Sequence, residues 1–126
     1  MGKVYNLNGE RWDEDVLTTG KTVSFTESYL LKRVKNFMMT QNAEQTLRKI
    51  FGDEDPEPLN EWVESTLRRF NGMDWGSVPD EDKETNLASA KRGGMVMAVY
   101  VVQGEQIYVI LDAGHETLTV LLPEDY

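Results

Sequence analysis

The chain contains no cysteine, one histidine and four prolines among its 126 residues. The absence of cysteine excludes disulfides and thiolate-bound zinc or iron–sulfur sites, and it is typical of proteins from a reducing compartment. No apolar run reaches the roughly 20 residues that a membrane-spanning helix needs. The opening residues, MGKVYNLNGE, lack the apolar stretch of a signal peptide. We therefore predict a cytoplasmic protein that does not contact membranes.

Side chains able to perform nucleophilic catalysis are scarce. A nucleophile needs an adjacent base, and that base needs an orienting group. His115 has Asp112 and Glu116 as near neighbours in the sequence, but these residues alone do not make such a set. We expect His115 to lie exposed in a turn.

Acidic residues occur in two clusters, and the predicted secondary structure explains both without a binding role. Residues 53–57 form a proline-interrupted connector whose spacing is not that of a calcium-binding loop. Residues 80–84 lie where a helix is predicted to begin, and carboxylates are favoured there by the helix macrodipole. Gly93-Gly94 precedes a predicted strand, whereas a phosphate-binding glycine loop opens a helix. We predict no catalytic, cofactor-binding or metal-binding residues, no cofactor, and no enzymatic activity.

The charge balance is acidic. The chain carries 22 acidic and 13 basic residues and has a formal net charge of −9. This charge disfavours direct binding to nucleic acid, which is itself negatively charged. It favours a partner with a basic surface. We therefore predict that the partner is another protein.

Helical spacing of apolar residues predicts a helix-rich N-terminal part. The predicted helices run from Thr26 to about Met39, over about 42–51, from about Pro56 to Phe70, and over about 79–92. Lys32, Arg33 and Lys35 make the first of these the most basic segment, interpreted as a solvated helix face. Short strands are also predicted within residues 3–7 and 20–25.

Three strands are predicted in the C-terminal part, over residues 95–102, 106–111 and 117–122. Glycine-containing turns separate them, which favours antiparallel pairing of neighbours. The first strand is apolar on both faces, which indicates a central or well-covered position. We expect Val99, Val109 and Val120 to be largely buried. The predicted fold class is α+β, with N-terminal helices followed by a C-terminal three-stranded antiparallel β-meander.

An ordered series of residues in the C-terminal half carries a family resemblance. The series comprises Leu67-Arg68-Arg69-Phe70, Gly72, Asp74-Trp75-Gly76, Glu81-Asp82, Asn86, Leu87, Lys91, Gly93, Tyr100, Ile107-Tyr108-Val109-Ile110, Asp112, Thr117, Thr119, Leu121-Leu122-Pro123-Glu124 and Tyr126. In these residues the chain resembles a family of small uncharacterised plasmid- and conjugative-element-related bacterial proteins of gut Firmicutes. The turn Ala113-Gly114-His115-Glu116 departs from the Glu-Ala-Asp-Arg-Ser-like turn that is more usual in the family.

The resemblance implies a fold and a mobile-element setting, and it implies no activity. It covers about half of the chain, residues 67–126. It is compatible with one domain over 1–126, in which residues 1–55 are an N-terminal elaboration of a family-like α+β core at 56–126.

Asp74, Trp75 and Gly76 form a candidate interaction loop with two interpretations. In one, Trp75 is an exposed aromatic anchor for a partner. In the other, Trp75 closes the core and Gly76 permits the turn. Because large aromatic residues beside helices usually pack inward, we predict that Trp75 is mostly buried.

The function predicted from these observations is that of a non-enzymatic protein-interaction or accessory protein of a mobile genetic element. One alternative is an anti-restriction or anti-CRISPR inhibitor that acts as an acidic mimic of nucleic acid. A second alternative is a small enzyme with an unrecognised site. A nucleic-acid mimic needs a contiguous acidic stripe, an enzyme needs a pocket with convergent polar groups, and an adaptor needs an exposed apolar patch.

Overall fold

The computed structural model describes strand Lys3–Val4 and residues 30–126. Its helices are α1 (Gln41–Phe51), α2 (Glu57–Asn71) and α3 (Asp80–Arg92), with a short 3-10 helix at Pro123–Asp125. Its strands are β1 (Lys3–Val4), β2 (Asn36–Met39), β3 (Val96–Val102), β4 (Glu105–Leu111) and β5 (Thr117–Leu121). The predicted helices near 42–51, 56–70 and 79–92 and all three C-terminal strands are confirmed. The strand predicted over 20–25 lies outside the described residues.

The strands form one mixed sheet in the order β1-β2-β5-β4-β3. Neighbouring strands β3, β4 and β5 are antiparallel, whereas β2 lies parallel to β5. The α+β class is confirmed. The prediction of a three-stranded antiparallel sheet is wrong, because β2, with β1 beside it, extends the meander.

Strand β2 lies where a helix from Thr26 to Met39 was predicted, so that prediction is wrong over residues 36–39. It is also wrong over residues 30–35, which form a turn and irregular backbone, whereas residues 26–29 lie outside the described residues. Phe37 and Met39 are buried while Asn36 is exposed, which is the alternation of a strand. The backbone N–H groups of Asn36 and Thr40 donate to carbonyls of the chain around β5, at 3.1 and 3.0 Å. Pairing with a segment about 80 residues away therefore decides the conformation, and local apolar spacing could not reveal it.

Local signals account for the helix ends. The Thr40 hydroxyl accepts a hydrogen bond from the Ala43 N–H at 3.1 Å and caps α1. Gly93 ends α3 in the left-handed conformation, with φ of 81°. The apolar stripe of α2 packs into the core through Leu59, Val63, Leu67 and Phe70, all at most 2% exposed.

One face of the sheet packs into the core. Its buried residues are Phe37, Met39, Val96, Ala98, Tyr100, Ile107, Val109, Leu111, Leu118 and Val120. Ala43 and Leu47 of α1 join the same cluster, so the core includes residues on both sides of position 55. Burial of Val109 and Val120 is confirmed, whereas Val99 faces the other side and is only partly buried. Strand β3 is an edge strand.

Candidate functional site

The loop Asp74-Trp75-Gly76 lies along the free edge of β3. The Val99 N–H donates to the Trp75 carbonyl at 3.0 Å, and the Ser77 N–H donates to the Val99 carbonyl at 2.8 Å. Edge strands that leave such groups unpaired invite pairing with other chains. The loop therefore pairs with β3 through a single β-bridge and extends the sheet at that edge.

Asn86 of α3 covers the neighbouring position on the same edge. Its amide Nδ2 donates to the Met97 carbonyl at 2.8 Å, and its Oδ1 accepts from the Met97 N–H at 3.1 Å. The buried amide thus replaces a strand partner for one residue. The loop Asp74-Trp75-Gly76 and the side chain of Asn86 consequently meet at one strand edge.

Gly76 is required for the close approach of the loop to β3. Its φ is +73°, and a Cβ placed on it would lie 2.0 Å from the Val99 carbonyl oxygen. Trp75 is 3% exposed, which confirms the prediction that it is mostly buried. Its indole Nε1 has no hydrogen-bond partner among the described residues. In the structure Trp75 is packed in the interior and Gly76 allows the loop to approach β3 closely. The role of the loop in binding a partner stays a prediction.

Asp74 anchors the loop to α2. Its carboxylate accepts from Arg69 Nε at 2.8 Å and from the Gly76 N–H at 3.2 Å. The hydrogen bond from Arg69 holds the pKa of the Asp74 carboxyl below its ordinary value. The Arg69 guanidinium also lies 4.6 Å from the centre of the Tyr100 ring, whose hydroxyl donates to the Asp74 carbonyl at 2.7 Å. Burial raises the pKa of Tyr100, which keeps that hydroxyl protonated as a donor.

His115 is buried, so the prediction of an exposed turn histidine is wrong. It is 5% exposed, and its Nε2 lies 2.7 Å from the Gly94 carbonyl oxygen. Because a carbonyl only accepts, Nε2 carries the proton of this hydrogen bond. The Gly114 N–H also donates to the Gly93 carbonyl at 2.7 Å. The β4–β5 turn therefore folds back onto the link between α3 and β3, a contact that no local sequence signal indicates.

The acidic clusters at 53–57 and 80–84 are exposed throughout. Among residues 30–126, no group of three or more histidine, aspartate or glutamate side chains is arranged to hold a metal ion. Within the same part of the chain, no helix has the length and apolar character needed to cross a membrane.

The outer face of the sheet is largely apolar. It carries Met97, Val99, Val101, Tyr108, Ile110 and Leu121 together with Gln106, Thr117 and Thr119, and these residues alternate with the core-facing ones. The Tyr126 ring packs edge-on against Tyr108, with 6.1 Å between ring centres. Val101 is 55% exposed and Tyr126 is 70% exposed. Ile110 and Leu121 are buried, at 6% and 7% exposed, so Val101 and Tyr126 supply the exposed apolar surface of this outer sheet face.

A basic cleft lies on another part of the molecule. Lys32, Arg33, Lys91, Arg92 and His115 line a cavity of about 140 Å³. The two lysine–arginine pairs are visible in the sequence as separate basic segments. Their convergence was missed because residues 32–33 were assigned to a solvated helix face, whereas they belong to a turn.

Asp125 ties the C-terminus to the start of α1. Its carboxylate accepts from the Thr40 hydroxyl at 2.6 Å, from Asn42 Nδ2 at 2.7 Å and from the Leu122 N–H at 3.0 Å. Burial acts to raise the pKa of the Asp125 carboxyl, but these three donors outweigh it and hold the pKa below its ordinary value.

We expect Asp125→Asn to reduce the loss of stability in acid. A carboxyl with a lowered folded-state pKa stabilises the protein above its unfolded-state pKa of about 3.9, and that stabilisation disappears as the pH falls through the folded-state value. The wild-type free energy of unfolding should therefore fall more between about pH 5 and about pH 2 than that of the variant. Urea unfolding at a series of pH values measures the difference. Glu124→Gln, at an exposed neighbouring carboxyl, is the matched control, and an equal effect of both variants would contradict this assignment.

Comparison of the whole chain with protein-family models, with curated proteins and with solved structures finds no match.

Proposed function

We propose that this chain is a non-enzymatic interaction protein that binds a partner protein through the outer sheet face. The observation that carries the proposal is the exposure of Val101 and Tyr126 on that face. Five large hydrophobic residues are exposed in the part of the chain that the structure describes. Two of them, Val101 and Tyr126, lie on this face, and a third, Met95, directly precedes β3.

The composition of the face suits a protein interface. Interface centres favour aromatic residues and methionine and contain few charged residues, whereas their rims are polar. Tyr108 and Tyr126 supply a paired aromatic contact, and Met97 lies on the same face. An aliphatic and aromatic surface of this kind fits a partner with a complementary apolar patch.

Charge defines the partner further. Glu124 lies two residues before Tyr126. Glu124 is exposed, and the whole chain carries a net charge of −9. We therefore propose a partner whose apolar patch is bordered by lysine or arginine, since such complementarity favours encounter and specificity.

The family resemblance of residues 67–126 supports a setting on a mobile genetic element. The series from Asp74-Trp75-Gly76 through Asn86 to the Leu-Leu-Pro-Glu segment motivates that setting. In this proposal the protein is an accessory factor of a plasmid or conjugative element, and it acts by occupying a protein surface.

Val101→Asp is expected to abolish capture of the partner without unfolding the protein. Val101 is 55% exposed, so a carboxylate there stays hydrated, but at an interface it would be desolvated without a partner. The measurement is affinity capture from the native host, quantified by mass spectrometry, with wild-type and variant baits compared. Leu87→Asp is the matched control, because Leu87 is 44% exposed on α3 and is not part of the sheet.

Proteins enriched by the wild type and by Leu87→Asp but lost with Val101→Asp would support the proposal. Equal capture by all three baits would contradict use of this face. A captured protein that is released by competing DNA would favour the nucleic-acid-mimic alternative instead.

A further inference from the structure

The basic cleft brings together two segments that lie about 60 residues apart. Lys32 and Arg33 belong to the turn before β2, and Lys91 and Arg92 are the last residues of α3. The turn is fixed in place because Leu30 and Leu31 are each only 1% exposed. The four cations are therefore presented by anchored backbone on both sides of one cavity.

These cations have no acidic partners in the described part of the chain. Elsewhere among residues 30–126, ion pairs join Lys35 to Glu116, Arg48 to Glu44, Arg69 to Asp74 and Lys83 to Asp80. Within the same residues, no carboxylate lies within ion-pairing distance of a cleft cation. The described part of this acidic chain thus leaves four clustered positive charges without an ion-paired carboxylate.

The macrodipole of α3 explains the positions of only two of the four cations. Lys91 and Arg92 are favourable at the negative end of the α3 macrodipole. Lys32 and Arg33 are not part of that helix, and their positive charges repel those of the helix end. Despite this repulsion, the four positive charges line one concave site. This is the arrangement expected where an anion binds.

We propose that the basic cleft binds the phosphoryl group of a phosphate-bearing ligand. Two guanidinium groups can each present paired N–H donors to phosphate oxygens, and two ammonium groups add point charges. The cavity volume of about 140 Å³ is small, which suits a compact oxyanion and not a whole nucleotide. The remainder of the ligand lies outside the cleft.

His115 is a positioning residue in this site. Its Nε2 proton is donated to the Gly94 carbonyl at 2.7 Å, so that nitrogen is not available to the ligand. The hydrogen bond fixes the link that follows Lys91 and Arg92. The turn that carries His115 is also joined to the segment after Arg33, because the Lys35 N–H donates to the Glu116 carbonyl at 2.8 Å.

Calorimetric titration of the full chain with inorganic phosphate at low ionic strength tests the proposal. Arg33→Gln and Arg92→Gln should each weaken phosphate binding by about tenfold or more, because each removes charge-assisted hydrogen bonds. Arg68→Gln is the matched control, since it deletes an equally exposed arginine that does not line the cleft. It should bind phosphate as the wild type does.

Thermal melting provides an independent readout. Without phosphate, Arg33→Gln should melt at or above the wild-type temperature, because it relieves repulsion within the cleft. With phosphate, the wild type and Arg68→Gln should gain melting temperature, whereas Arg33→Gln should not. A purely structural arginine would instead lower the melting temperature of the phosphate-free protein.

The source of the phosphate is distinguished by a second titrant, O-phosphoserine. Tighter binding of O-phosphoserine than of inorganic phosphate would identify the phosphoryl end of a larger molecule as the ligand, and the reverse order would identify the free ion. The proposal is overturned by an absence of saturable binding of both titrants. Equal weakening by Arg33→Gln and Arg68→Gln would also overturn it, because binding would then depend on total charge alone.

Discussion

Gly76→Ala is expected to lower the free energy of unfolding by about 3–4 kcal/mol. Left-handed backbone costs a residue with a Cβ about 1–2 kcal/mol. The φ of Gly76 is +73°, and its added methyl group would meet the Val99 carbonyl oxygen at 2.0 Å. That overlap forces the loop away from β3 and breaks its two backbone hydrogen bonds with Val99. Each lost bond contributes roughly another 1 kcal/mol.

Gly104→Ala separates the backbone strain from the steric overlap. Gly104 has a φ of +83°, but a Cβ there would have no atom within 4 Å. Gly104→Ala should lower the free energy of unfolding only by the backbone strain, about 1–2 kcal/mol. Urea denaturation followed by circular dichroism measures both variants. Equal destabilisation by the two substitutions would show that close contact with Val99 contributes nothing.

Trp75→Ala is expected to lower the free energy of unfolding by about 3–5 kcal/mol. The indole is 3% exposed and belongs to the main hydrophobic cluster, so its removal loses transfer free energy and leaves a cavity. The backbone of Trp75 also bonds to Val99. Loss of the side chain should therefore loosen the loop that covers the edge of β3.

Trp62→Ala is the matched control for this effect. Trp62 is only partly buried on α2, where its ring lies 6.4 Å from that of Phe51. The Trp62 side chain buries less surface on folding than the Trp75 side chain does. Its replacement by alanine should therefore lower the free energy of unfolding by less. Circular dichroism is the appropriate measurement, since both variants remove a fluorophore. Wild-type stability of Trp75→Ala in urea would contradict its burial and would favour the binding-loop interpretation.

Sequence patterns predicted well those elements whose signals are local. Helix α1 follows a threonine cap and ends before a glycine, and both features are adjacent to the residues they control. The C-terminal strands are apolar and separated by glycine turns, so their order and antiparallel pairing follow from short connections. Burial of Trp75 was likewise predictable from its size and apolar character.

Predictions failed where a distant partner decided the outcome. The run Phe37-Met38-Met39 fits either a helical stripe or a strand, and β5 selects the strand through the parallel register of β2. His115 lies in a turn that local rules place in solvent, yet contact with Gly94 buries it. A turn residue reaches the interior only when another segment closes over it.

The amino-acid sequence by itself determined the acidic character, the exclusion of cysteine chemistry, the α+β class and most element boundaries, because composition and short-range periodicity encode them. Only the tertiary structure decided the mixed sheet, the edge contacts of Asn86 and Gly76, and the convergence of Lys32–Arg33 with Lys91–Arg92. These features join residues that are far apart in the chain. Their geometry depends on how the elements pack, and no local pattern records that.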